Sequence, residues 1–174
     1  EQCHQVVDTA IDSGINFFDH ADIYTLGNAE AVFGDVLKAR ADLRESIYIQ
    51  TKCGIRFDDE LGPKRYDFSA NWIEESVNGS LSRLNTDYID VYYMHRFDEG
   101  CSLEETLSTV NDFVRQGKIR YIGLSNFAAW QYMKAVGITR QYNYAQIASP
   151  IFQIKQEELN SLLVLPLEYL VQNR

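Results

Sequence analysis

The chain has 174 residues, 45% of them hydrophobic, and a formal charge of −9. That length suits one domain with an apolar core, and no apolar run reaches the roughly 20 residues that a membrane-spanning helix needs. The negative charge repels nucleic acid and anionic membrane surfaces at long range, which argues against both as partners.

Cys3, Cys53 and Cys101 are odd in number and lack paired metal-ligand spacing, so they read as reduced thiols of an intracellular, cytoplasmic protein without a metal site. The chain opens at Glu1, inside what reads as a helix, as expected of a piece of something longer. From Gln5 to Ile15 the apolar residues Val6, Val7, Ala10, Ile11 and Ile15 recur every three or four positions, as on one helix face, and Gly14 is a natural stop. Ile15, Phe17 and Phe18 read as a buried strand that runs into a polar stretch carrying Asp19 and Tyr24. Asn28 is placed to cap a helix that turns Ala31, Val32, Val36 and Leu37 inward, with Glu30 in its first turn. Ile47 to Gln50 reads as a second strand, ending in Thr51, Lys52 and Cys53. The charged stretch from Gly54 to Phe68 reads as a long loop, a lid or a substrate wall. Ser69 then caps a helix whose inner face is Ile73, Val77, Leu81 and Leu84.

Ile89 to Met94 is apolar nearly throughout, as in a strand covered on both faces, and ends in His95 and Arg96. A helix from Leu103 to Gln116 buries Leu107, Val110, Phe113 and Val114, and Gly117 stops it. The strand Ile119 to Leu124 ends in Ser125 and Asn126, with Asn126 placed to cap the next helix, around Trp130 to Val136. Tyr144 to Ala148 reads as a strand with Gln146 within it, and the tail from Gln156 to Arg174 has a helical pattern that Pro166 kinks or restarts. Trp72 and Trp130 read as helix packing, and Cys53 as a small buried filler.

Strands alternating with helices predict an α/β fold with a parallel sheet, either doubly wound or closed as a barrel. No strand end carries the glycine-rich turn of a doubly wound dinucleotide fold. Polar residues at the ends of successive strands favour a (β/α)8 TIM-barrel type, whose strand ends share one mouth. A whole barrel takes about 250 residues, so residues 1–174 are expected to form a single, partial barrel domain of about five strand-helix units. Such a sheet leaves backbone groups and apolar surface open at both edges.

The stretch Phe18-Asp19-His20-Ala21-Asp22-Ile23-Tyr24, with Gly27 to Glu30 behind it, resembles the aldo-keto reductase signature, an Asp and a Tyr five apart before a glycine-and-glutamate helix start. Thr51-Lys52, Tyr88 to His95 (YIDVYYMH) and Gly117 to Phe127 (GKIRYIGLSNF) resemble that family's next motifs in the same order. The resemblance covers Gln5 to Gln146. It implies reduction of a small carbonyl compound with NADPH by a catalytic tetrad of Asp19, Tyr24, Lys52 and His95. It also implies nicotinamide contacts from Ser125, Asn126 and Gln146, with Asp19 beside the cofactor. One departure is Thr25, where the family commonly has a glycine directly after the tyrosine. The family's clamp for the adenosine phosphate is expected beyond this chain.

These residue types suit the chemistry. A carbonyl takes a hydride on carbon and a proton on an oxygen that becomes alkoxide-like. A phenol serves as that acid when an ammonium stabilises its phenolate, a carboxylate keeps the ammonium charged and aimed, and an imidazole holds the carbonyl oxygen. Taken singly, Asp19 reads as a turn residue, Tyr24 as packing, Lys52 as a solvated gatekeeper and His95 as a hydrogen-bonded strand end. Their conjunction at successive strand ends selects the catalytic reading. The alternatives are a cofactor-sensing regulatory subunit of the same fold with little turnover, and a truncated chain without activity.

Overall fold

The computed structural model describes residues 2–60 and 62–152, and the helical reading of residues 156–174 lies outside them. In order, the elements are α1 (Gln2–Asp12), β1 (Phe17–Asp19), α2 (Asn28–Ala39), β2 (Tyr48–Cys53), β3 (Ile55–Arg56), β4 (Arg65–Tyr66), α3 (Ala70–Leu84), β5 (Ile89–Met94), α4 (Leu103–Arg115), β6 (Ile119–Phe127), α5 (Ala129–Gln141) and β7 (Ile147–Phe152). The main sheet has the order β1-β2-β5-β6-β7, and every pair is parallel. Neighbours follow chain order without the reversal that marks a doubly wound sheet. Each helix from α1 to α5 packs on the next. This is the winding of a partial (β/α)8 barrel. Among the described residues no helix is long and apolar enough to cross a membrane.

The core lies between the sheet and the helices. Ile49, Tyr92, Met94, Ile122 and Leu124 meet Val36, Ile73, Val77, Leu107 and Val110 there, all fully buried. Burying each such aliphatic side chain contributes about 1.5–3 kcal/mol. The caps at Ser69 and Ser102 accept from the amides of Trp72 and Glu105, both at 3.4 Å, and each contributes about 1 kcal/mol. β5 is buried at every residue, yet it carries one charge. Asp90 accepts from Arg44 Nη2 at 2.8 Å, Arg120 Nη1 at 3.1 Å and the Ile49 amide at 3.0 Å. Three donors are what make an ion tolerable there.

Several local expectations are corrected by tertiary packing. β1 is the edge of the described sheet, so it is only half covered. Ile15 is 54% and Phe17 36% exposed, while Phe18 packs on Phe33 of α2. Asn28 begins α2 rather than capping it, because Gly27, with φ +85°, makes the turn at the cap position. The inner face of α2 is Glu30, Phe33, Gly34, Val36 and Leu37, and Val32 points to solvent. Gly34 lets α3 approach closely, since a Cβ there would lie 2.0 Å from the Arg83 carbonyl oxygen. Residues 54–60 and 62–68 do not form an open loop. β3 and β4 make an antiparallel hairpin in which Arg56 pairs with Asp59 and Asp67 at 2.6 and 2.9 Å, and Arg65 pairs with Asp59 at 2.9 Å. Trp130 is exposed and meets Phe97 only edge-on, whereas Trp72 lies under the Arg56 guanidinium.

Candidate active site

Strand alternation divides β2 between two faces. Thr51 faces the helices, where its hydroxyl donates to Glu30 of α2 at 2.5 Å. Tyr48, Gln50 and Lys52 face the other way. On that side β1 presents Phe17 and Asp19, in register with Tyr48 and Gln50.

Lys52, 4% exposed, directs its ammonium at three oxygens. It forms a close ion pair with Asp19, donates to the His20 carbonyl at 2.8 Å and reaches the Tyr24 hydroxyl at 3.4 Å. An ammonium has three protons, and three partners replace the water it lost. Asp19 is half exposed and also accepts from Gln50 Nε2 at 2.5 Å. Tyr24 opens the tight turn Tyr24–Gly27 just past β1. Its ring stands edge-on to the His95 ring, with centroids 6.3 Å apart.

His95 follows β5 directly, and its amide donates to the Cys53 carbonyl at 2.9 Å, extending the ladder past the Cys53–Met94 pair. Burial, then the nearby Lys52 ammonium and Arg96 guanidinium, press its pKa down to about 4 against the opposing pull of Asp19. The imidazole is therefore neutral near pH 7. Ser125 is buried and Asn126 half-buried near the end of β6. With φ +58°, Asn126 turns its Nδ2 to donate to the His95 carbonyl at 3.0 Å and to Ser125 Oγ at 2.9 Å. It does not cap α5. That role falls to Gln131, whose Oε1 accepts from the Ala128 amide at 2.7 Å.

The structure thus brings Asp19, Tyr24, Lys52, His95, Ser125 and Asn126 to one end of four adjacent strands. Gln146 is not with them. It is exposed and comes just before β7, whose first residue, Ile147, pairs with Ile122 in the middle of β6. Ile151, not Gln146, is level with Ser125. The expected strand Tyr144 to Ala148 starts too early because the Tyr144 amide still closes α5, bonding to Thr139 O at 2.9 Å.

Three further residues support the cluster, and local sequence reading misses them. Gln50 braces Asp19. Glu30, wholly buried, accepts from Thr51 Oγ1 and from Arg83 Nε at 2.7 Å. Asp22 donates its amide to the Lys52 carbonyl at 3.0 Å. Burial and the neighbouring Glu30 raise its carboxyl pKa to about 7, with Arg83 opposing. A first-turn glutamate looks like a response to the helix dipole, and only the approach of α3 reveals its ionic partner. Among the described residues no group of three or more His, Cys, Asp or Glu is placed to hold a metal ion.

A family model described as "Aldo/keto reductase family" matches residues 1–163. The chain is similar to 6-dehydroglucose reductase of Novosphingobium aromaticivorans, with 41% identity over 129 residues, covering 71% of this chain and 41% of the relative. It is also similar to the uncharacterized oxidoreductase YqkF of Bacillus subtilis, with 39% identity over 121 residues, covering 70% of this chain and 39% of the relative. An aldo-keto reductase of Fusarium vanettenii is 30% identical over 169 residues, covering 86% of this chain and 46% of the relative. The chain spans about half the length, or less, of the curated relatives it matches.

Proposed function

The chain belongs to the aldo/keto reductase family, and on that premise we propose that it reduces an aldehyde or ketone to an alcohol with NADPH, Tyr24 serving as general acid. Lys52 carries this reading, because it meets both the Asp19 carboxylate and the Tyr24 hydroxyl where two neighbouring parallel strands end. The oxidoreductase and reductase names of the relatives support oxidoreduction as the reaction type. The name of the Novosphingobium relative adds oxidised sugars to the carbonyl compounds worth testing. Three unpaired cysteines fit a reducing, cytoplasmic setting.

NADPH, when bound, supplies the hydride for the carbonyl carbon. Its carboxamide is a flat amide that needs both donors and acceptors. The adjacent Ser125 hydroxyl and Asn126 side-chain amide, beside the His95 carbonyl, offer both. Gln146, which comes before β7, is left out of this set. Tyr24 passes its proton to the substrate oxygen as negative charge gathers there. Lys52 stabilises the phenolate that remains, Asp19 keeps Lys52 aimed, and the neutral His95 imidazole hydrogen-bonds the same oxygen.

Steady-state NADPH oxidation with a panel of aldehydes and ketones tests the proposal. Tyr24→Phe should lose about a hundredfold or more in kcat while keeping wild-type NADPH affinity in a fluorescence titration. Unchanged turnover in the variant refutes the acid assignment. Tight NADPH binding without turnover in the wild-type chain would instead identify a cofactor sensor, and absence of binding an inactive piece.

A further inference from the structure

We propose that Gln50 is a positioning residue of this site: it holds the Asp19 carboxylate and, through it, sets where the Lys52 ammonium stands. The kinetic consequence rests on the reductase reading above, whereas the geometric one does not.

Gln50 and Asp19 are direct partners in the β1–β2 register, and Gln50 and Lys52, two apart on one strand, share a face. Both reach the same carboxylate atom, Asp19 Oδ1, Gln50 through Nε2 at 2.5 Å. The two donors are nearly buried, with 8% and 4% exposure, while Asp19 is 49% exposed. A half-exposed carboxylate is free to swing into water, and an ion pair to it is ordinarily weak and loose. A second donor fixed to a buried strand residue removes that freedom, and a hydrogen bond to an ionised acceptor is about twice as strong as a neutral one.

The location of Asp19 matters because Lys52 divides itself among three oxygens. The His20 carbonyl belongs to the backbone, and the Tyr24 hydroxyl, at 3.4 Å, is the longest of the three contacts. Asp19 carries the only charge among them, so its position decides how far the ammonium leans away from Tyr24. By occupying part of Oδ1, Gln50 both anchors the carboxylate and limits its claim on Lys52. A methionine would fill the same space without a polar group to satisfy. The amide is instead spent on Asp19.

Gln50→Met keeps the length of the side chain and removes the donor. In the whole chain, kcat should fall about tenfold, as expected for losing a hydrogen bond to a charged group, with NADPH affinity unchanged. The primary isotope effect with 4-deuterated NADPH should rise, because the chemical step slows. Reductive methylation of Lys52, followed by mass spectrometry, should speed up several-fold as its counter-ion loosens. Gln50→Glu, which crowds Lys52 with a second carboxylate, should lower kcat and slow methylation. If Gln50→Met leaves methylation and the isotope effect at wild-type values, the proposal is overturned, even where kcat drops with general stability. If the wild-type chain reduces no carbonyl but methylation accelerates in Gln50→Met, the reductase reading fails and the positioning role stands.

Discussion

The Lys52 ammonium lies 3.4 Å from the Tyr24 hydroxyl, although the two residues are 28 positions apart in the chain. Parallel pairing brings them together. β1 and β2 end at the same edge of the sheet, and the turn after β1 folds Tyr24 back over the neighbouring strand, held by the Asp22 amide on the Lys52 carbonyl. The same pairing, continued to β5 and β6, delivers His95, Ser125 and Asn126 to that edge.

Lys52→Met tests this contact. Tyr24 would lose the cation that stabilises its phenolate, and kcat for carbonyl reduction should drop about a hundredfold or more. Asp19 is half exposed and can be rehydrated. Stability in urea should therefore fall by only about 1 kcal/mol, rather than the 3–5 kcal/mol typical of a broken buried pair. A large stability loss with little kinetic change would make Lys52 a structural residue.

His95 predicts an acid response of stability. Its folded pKa, about 4, lies below the ordinary value of 6.5. The unfolded chain therefore takes up the proton first, and stability falls as pH drops from about 6.5 to about 4. His20, lowered chiefly by burial, acts in the same direction. His95→Gln should flatten part of this slope in denaturation curves at pH 7, 5.5 and 4.5. Catalysis should show no inflection near pH 6.5 from this imidazole.

Asp22 predicts the opposite sign. Its folded pKa, about 7, lies above the ordinary value of 3.8, so the folded state keeps the proton longer and stability is lost as pH rises from about 4 through 7. Glu30 and Arg83 face it electrostatically, and its charge is also felt by Cys53 and Tyr92. Asp22→Asn should stabilise the protein by on the order of 1–2 kcal/mol at pH 8 and leave it unchanged at pH 4. A uniform effect at both pH values would show that Asp22 acts by packing alone.

Thr25 and Leu26 adopt φ of +50° and +57° beside Tyr24. A β-branched residue in the left-handed region is strained by about 1–2 kcal/mol. Thr25→Gly should relieve most of this, less the roughly 0.5–1 kcal/mol that glycine loses on ordering. The net gain expected in thermal melting is a rise of a few degrees. A drop in Tm would mean that the Thr25 hydroxyl bond to the Tyr24 carbonyl at 2.7 Å outweighs the strain.

Much of the fold can be read without coordinates because its determinants are local. Apolar spacing identifies α3 and α4, Ser69 marks a helix start through its own hydroxyl, and the glycine after α1 stops it. The convergence of Asp19, Tyr24, Lys52 and His95 is also legible, because polar residues directly following parallel strands must share one edge. Gln146 is expected within a strand that in fact begins at Ile147, because the start of β7 depends on where α5 closes, which no periodicity in residues 142–148 reports.

By itself the sequence determined the alternation of elements and which residues stand at strand ends, since both follow from side-chain periodicity and turn chemistry within about ten residues of chain. Only the tertiary structure decided that Glu30 meets Arg83, that Asp90 meets Arg44 and Arg120, and that Gln50 shares an oxygen of Asp19 with Lys52. Those pairings join residues 30 to 53 positions apart. They are set by strand register and by how closely α2 and α3 pack, and no local pattern encodes either.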